Sequence, residues 1–175
     1  MSDKVETLHT GKHLVLLKEG RWEYVQRVSN RGAVFVMAVT PAQELVLVEQ
    51  HRVPLHADSI ELPAGILGDE AEHKNETPEA CALRELLEET GFRGTSAKLV
   101  MTGSIAPGLT SERMFLVQAT GLERVGPGGG IDHEQIRVHC VPLKHAAAWL
   151  RDKAAAGCVV DARVHAALHF LQAPA

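Results

Sequence analysis

The sequence predicts an α/β (α+β) fold: a mixed β-sheet with helices packed on it. Three observations point there. Short valine-rich runs crowd the first third of the chain, helical patterns are interspersed among later strand-like runs, and 175 residues with 45% hydrophobic and 23% charged content suit one globular core. A chain of this length buries about 70% of its unfolded surface and needs no disulfide or zinc to fold.

The elements follow in order. Leu14 to Leu17 and Trp22 to Val28 read as two strands joined by a turn at Glu19-Gly20. Ala33 to Val39 and Leu45 to Glu49 are strands on a buried pleated surface, joined by Pro41 to Glu44. Leu99 to Gly103, Arg113 to Ala119 and Ile136 to Val141 are later strands. Helices are predicted over Pro78 to Thr90, Leu143 to Ala156 and Asp161 to Leu171. Gly126-Pro127-Gly128-Gly129-Gly130 reads by composition as a mobile surface loop.

Charge and composition exclude several classes. The formal charge is −4, from 18 basic and 22 acidic residues, which speaks against a nucleic-acid partner. No stretch approaches the roughly 20 apolar residues that span a bilayer. Residues 1–6 carry acids and lack the apolar core of a secretory signal. Cys81, Cys140 and Cys158 are odd in number and far apart, as expected of free thiols in a reducing cytoplasm. The ten histidines show no metal-binding spacing, so His51, His133 and His139 read as structural or incidental.

The helix at 78–90 is the most informative segment. Thr77 is a good N-cap, Pro78 a good first residue and Gly91 a good left-handed stop. Leu83, Leu86, Leu87 and Thr90 fall at i, i+3, i+4 and i+7 and predict its buried stripe. Glu85, Glu88 and Glu89 then crowd the opposite side near the C-terminus. Like charges at i, i+4 cost about 0.2–0.5 kcal/mol. Acids against the macrodipole cost roughly 0.3–1 kcal/mol each. Arg84 cannot neutralise all three. A bound cation would, and an all-oxygen donor set selects a hard ion such as magnesium or manganese. A merely solvated acidic face is the competing reading.

The surrounding residues decide between them. Glu76, seven residues, then Arg84-Glu85-Leu86-Leu87-Glu88-Glu89-Thr90-Gly91-Phe92 match without a gap the second half of the Nudix hydrolase box. The first half departs. Its glycine is best placed at Gly65, in Ile60-Glu61-Leu62-Pro63-Ala64-Gly65, with five extra residues inserted somewhere within Leu67 to Asn75. Trp22-Glu23-Tyr24-Val25, Glu49 to Pro54, Ala106-Pro107-Gly108 and Gly128 to Ile136 extend the resemblance. They resemble the ADP-ribose and nucleotide-sugar pyrophosphatases, and the last is similar to the loop of GDP-mannose hydrolases.

The resemblance implies roles by position. Magnesium, or manganese in its place, is expected on Glu85, Glu89 and the backbone carbonyl of Ala64. Glu134 is expected as general base or further metal contact, and Glu88 as an assisting base or a ligand through water. Arg84 is expected to orient the carboxylates. Arg52 is suited to grip a diphosphate with its forked donors. Arg27, Glu112 and Gly65 are expected beside the substrate. Trp22 would stack on a base or pack in a dimer contact. The implied activity is magnesium-dependent hydrolysis of the pyrophosphate bond of a nucleoside diphosphate sugar such as ADP-ribose, giving a nucleoside monophosphate and a sugar phosphate. The resemblance also implies a mixed sheet sandwiched between helices and a homodimer, with residues 1–30 as an N-terminal antiparallel β-appendage and candidate dimerisation element and 31–175 as the catalytic domain. The alternatives are a housecleaning nucleoside triphosphate or coenzyme A pyrophosphatase and a non-catalytic nucleotide-sugar sensor.

Overall fold

A computed structural model describes residues 4–28, 31–68, 71–130 and 135–172. In chain order the strands and helices are β1 (Glu6–Thr10), β2 (Leu14–Glu19), β3 (Trp22–Arg27), β4 (Ala33–Ala38), β5 (Glu44–Arg52), β6 (Ala57–Glu61), β7 (Ala64–Ile66), α1 (Pro78–Thr90), β8 (Phe92–Arg93), β9 (Ser96–Ser104), β10 (Arg113–Thr120), β11 (Glu123–Arg124), β12 (Arg137–Pro142), α2 (Ala146–Ala155), β13 (Val159–Val160) and α3 (Ala162–Gln172).

Two four-stranded sheets build the body, in the orders β7-β4-β10-β9 and β12-β5-β6-β13. Both are mixed: β4 runs parallel to β10 and β13 parallel to β6, while the other pairings are antiparallel. Strand β4 explains its unbroken apolar sequence, because all six of its residues are buried. Val34, Val36 and Ala38 face Cys81, Ala82 and Leu86 of α1. Ala33, Phe35 and Met37 face the opposite core with Leu45, Leu47, Ile60, Leu150, Val164 and Leu168. The sheets therefore lie between α1 on one side and α2 with α3 on the other.

The N-terminal strands form a separate antiparallel sheet, β1-β2-β3. Strand β1 is exposed along its whole length and shows no apolar alternation to betray it in the sequence. The sheet is tied to the body where the Val25 N–H donates to the Leu109 carbonyl (2.9 Å) and the Ser111 N–H to the Val25 carbonyl (3.2 Å).

Helix α1 has the predicted ends. Thr77 accepts from the Ala80 N–H (3.3 Å), and Gly91 closes the helix at φ 72°. The predicted stripe is corrected. Leu87 is 37% exposed, whereas Glu89 is 4% exposed and buried with Cys81, Ala82, Leu86 and Thr90. The helix is rotated from its most hydrophobic phase because its acidic edge faces protein. The predicted start of the next helix is also shortened. Leu143–His145 is a 3₁₀ turn, and α2 begins at Ala146.

Gly126 to Gly130 is corrected as well. The loop is tied down: the Val125 and Gly126 amides donate to the Gly91 carbonyl at 2.9 and 3.2 Å, and the Gly129 amide donates to the Glu89 carbonyl at 2.8 Å.

Candidate active site

The chemistry-bearing residues gather in a cavity of about 840 Å³ at the meeting of β4, β7 and α1 with the start of α3. Strand β7 sets its floor. Phe35 pairs with Ala64 and Val34 with Gly65 in the antiparallel register. A Cβ at Gly65 would come within 2.6 Å of Glu85 Cγ and closer still to its carboxylate, so a side chain there would displace Glu85. Glu85 thus lies directly over the β7 backbone. One turn on, Glu89 Oε2 accepts from the Ala64 N–H at 3.0 Å.

Arg84 organises this face. Its Nη1 lies 2.8 Å from Glu85 Oε1 and 3.0 Å from Glu88 Oε2, and its Nη2 lies 3.1 Å from Glu76 Oε1. Glu76 also accepts from the Gly68 N–H at 3.1 Å. Burial would raise the Glu76 carboxyl, but Arg84 and that amide hold it below the ordinary carboxylate range. Arg84 is itself pushed up: Glu76 and Glu85 favour its charge and outweigh burial. The Cys81 thiol, beside this cluster, is pushed up by burial and then by Glu76 and Glu85. It is a packed, inert thiol.

The insertion before Glu76 leaves this geometry intact. Arg31 donates to the Lys74 carbonyl and, at 3.1 Å, to the Glu76 carbonyl. Together with the Gly68–Glu76 bond, it closes the neck of the inserted loop.

Across the cavity stand three further arginines, each held by an acid. Arg27 bonds Glu112. Arg52 gives Nε and Nη2 to Glu61 at 2.8 and 2.6 Å, so its fork is already occupied by a carboxylate. That bond, ahead of the opposing effect of burial, raises its pKa. Arg163 gives Nε to Asp161 at 2.7 Å and lies 4.0 Å over the Phe35 ring. Burial would raise Asp161, but Arg163 holds it below its ordinary value. Glu61, Asp161 and Arg163 escaped the sequence reading. They reach the cavity from β6 and the start of α3, and no local spacing links them to the box.

Other predicted residues are placed differently. Trp22 is 54% exposed and lines a separate recess of about 250 Å³ with Tyr24, Pro107 and Thr110. Glu134 and His133 lie outside the described residues. His51 pairs with Asp58 on the surface (3.1 Å), and His139 bonds the buried Glu49 (2.8 Å).

The donors of the site decide which metal it suits. Among the described residues, no three His, Cys, Asp or Glu side chains are close enough to hold an ion by themselves. The predicted set has two described carboxylates, Glu85 and Glu89, with the Ala64 carbonyl as third donor. All are oxygens, and Arg84 pairs with three carboxylates, Glu76, Glu85 and Glu88. That chemistry fits a hard divalent ion.

Comparison with known proteins places the chain. Residues 29–157 match the model of the NUDIX domain. The chain is 30% identical to the methanol dehydrogenase activator of Bacillus methanolicus, over 97% of this chain and 90% of that protein. It is 31% identical to the ADP-ribose pyrophosphatase of Bacillus subtilis (90% and 81%) and 29% identical to a GDP-mannose pyrophosphatase of Enterobacter sp. (81% and 73%). Its fold is similar to that of a crystal structure of an ADP compounds hydrolase, with TM-score 0.71 and 23% identity over 98% and 91% of the two chains. The carboxylate turn over Ala64-Gly65 and the matched span agree: this chain belongs to the NUDIX domain family.

Proposed function

We propose that the protein hydrolyses the pyrophosphate bond of a nucleoside diphosphate sugar such as ADP-ribose, using magnesium, with manganese as a substitute. One observation carries the reading: Glu85, Glu88 and Glu89 enter one cavity with Arg27, Arg52 and Arg163, so acids that suit a cation face cations that suit a diphosphate. The relatives named for ADP-ribose and GDP-mannose pyrophosphatase activity support the same bond class.

In this reading Glu85, Glu89 and the Ala64 carbonyl hold magnesium. The ion, when bound, neutralises phosphate oxygens and eases deprotonation of water. Arg84 keeps Glu85 and Glu88 in register. Arg27 and Arg52 bind the diphosphate, and their acid partners hold them ready for it. Glu112 positions Arg27, Gly65 leaves room for Glu85 beside the substrate, and Trp22 stacks on the base or packs against a second subunit. Glu134 is the general base, with Glu88 assisting. Residues 1–30 serve as a dimerisation element. Their sheet exposes Leu8, Leu14 and Trp22. Three cysteines without a disulfide suit a cytoplasmic site of action.

The test is a product assay with magnesium across ADP-ribose, GDP-mannose and other ADP- and UDP-sugars. Release of a nucleoside monophosphate and a sugar phosphate supports the reading. Release of free pyrophosphate from nucleoside triphosphates, or calorimetric binding with no product over hours, overturns it.

A further inference from the structure

The last turn of α1 has an unusual problem. Its final carbonyls lack helical partners and form the negative pole of the helix, yet Glu88 and Glu89 stand on it, with Glu85 one turn before. The glycine segment meets that pole directly. The Gly129 N–H donates to the Glu89 carbonyl at 2.8 Å, and the Gly130 N–H donates to the Glu88 carbonyl at 3.2 Å. The two carbonyls capped are those of two carboxylate-bearing residues. Arg124 pins the segment from behind, donating to the Gly126 carbonyl at 3.2 Å and the Pro127 carbonyl at 3.3 Å while covering the Phe92 ring.

At Gly128 the approach is possible only without a side chain. Gly128 sits at φ 70°, and a Cβ there would come within 2.6 Å of Thr90 Cα and 2.7 Å of the Glu89 carbonyl oxygen. These neighbours are backbone and cannot step aside.

We infer that Gly128, Gly129 and Gly130 are positioning residues: by seating two amides on the C-terminal carbonyls of α1, they set where the Glu88 and Glu89 carboxylates stand and offset the repulsion among them. Loss of the seat should therefore weaken divalent-ion binding and turnover together. A loop serving stability alone would lower only the melting temperature. The inference rests on the hydrolase reading for its effect on turnover, but its effect on ion binding stands without a substrate.

The experiment uses the full chain. Manganese alone is titrated and free ion counted by electron paramagnetic resonance; kcat and KM for ADP-ribose are measured separately in magnesium. Gly128→Ala should weaken manganese binding by about 10–100-fold, the range seen when groups that orient metal ligands are lost. Its kcat should fall by a similar factor while KM moves less than about threefold, as for an interaction that matters in the transition state. Gly121→Ala is the control. It too sits at positive φ (67°) and presses on Thr95, but it lies outside the cavity. It should lose melting temperature and keep both ion affinity and kcat. If Gly128→Ala behaves like Gly121→Ala, the inference is overturned. Should Gly128→Ala fail to fold, Gly129→Ala decides. That site has φ 115° but no atom closer than 3.9 Å to a new Cβ, so it strains the donating amide without a clash. Native manganese affinity in that folded variant overturns the inference. A wild-type chain that hydrolyses no nucleotide sugar, with manganese binding still lost in Gly128→Ala, defeats the substrate assignment and leaves the positioning role standing.

Discussion

Two charge clusters in this protein are near mirror images. At Arg84, one guanidinium meets three carboxylates, Glu76, Glu85 and Glu88. At Glu49, one carboxylate meets three bases: Arg137 (2.5 Å), His139 (2.8 Å) and Lys153 (2.6 Å). The Glu49 cluster joins β5, β12 and α2, and Lys153 and His139 also pack against the Trp149 ring. Its excess charge is positive, and exposed Arg137 sheds part of it to water. The Arg84 cluster is more enclosed, and its excess is negative and faces a cavity. The lesson is that a one-to-three arrangement is structural where water completes it, and calls for a ligand where the surplus faces an enclosed space.

The comparison can be broken first by neutralising the surplus. Glu85→Gln or Glu89→Gln should cost magnesium-dependent kcat about 100-fold or more, the scale of a misplaced reacting group, with the far-ultraviolet circular dichroism unchanged. Near-normal rates in either would remove the metal assignment. Arg84→Met attacks the centre of the cluster. Leaving buried carboxylates unpaired should cost about 3–5 kcal/mol of stability, and added magnesium should raise the melting temperature of this variant more than that of the parent chain. Denaturant titration with and without the ion checks both.

At the other cluster, Glu49→Gln should cost about 1.5–3 kcal/mol through its charged hydrogen bonds, or roughly 3–12 °C in Tm at this chain length. Acid should act in two stages. Burial pushes the His139 imidazole below its ordinary 6.5, against Glu49 beside it. The unfolded chain therefore takes that proton first, and stability starts to decline as pH falls through 6.5. Glu49 is pushed up by burial, but Lys153, His139 and Arg137 prevail and hold it below 4.5; Glu76 is held below the same value. Their contribution is complete above 4.5 and is lost as pH falls through the lower folded values. Melting curves across pH should show a shallow limb and then a steep one, and His139→Gln should remove the shallow limb. The smallest effect belongs to Arg137→Ala. Its side chain is 69% exposed, so no more than about 1 kcal/mol should follow.

Much of this was legible in the residues. Thr77, Pro78 and Gly91 mark the ends of α1 because capping is local chemistry, and Glu85-Glu88-Glu89 is visibly unfavourable without a ligand. The phase of that helix was not legible. Hydrophobicity counts Leu87 as buried and Glu89 as exposed, and it fails where a site buries charge for use. The arginine wall was half legible. Arg27, Arg52 and Glu112 could be named, but Glu61 and the Asp161–Arg163 pair are brought to the cavity by β6 and the start of α3, distant parts of the chain. Strand β1 left no trace because both its faces meet water.

The stapled neck at Gly68, Glu76 and Arg31 separates loop length from box geometry. Chain entropy penalises extra residues only logarithmically, at about 0.6 kcal/mol per doubling of a flexible loop. Sequence grafted after Gly68 and before Lys74 would therefore add loop entropy outside the bonds that Arg31 and Gly68 make to residues 74 and 76.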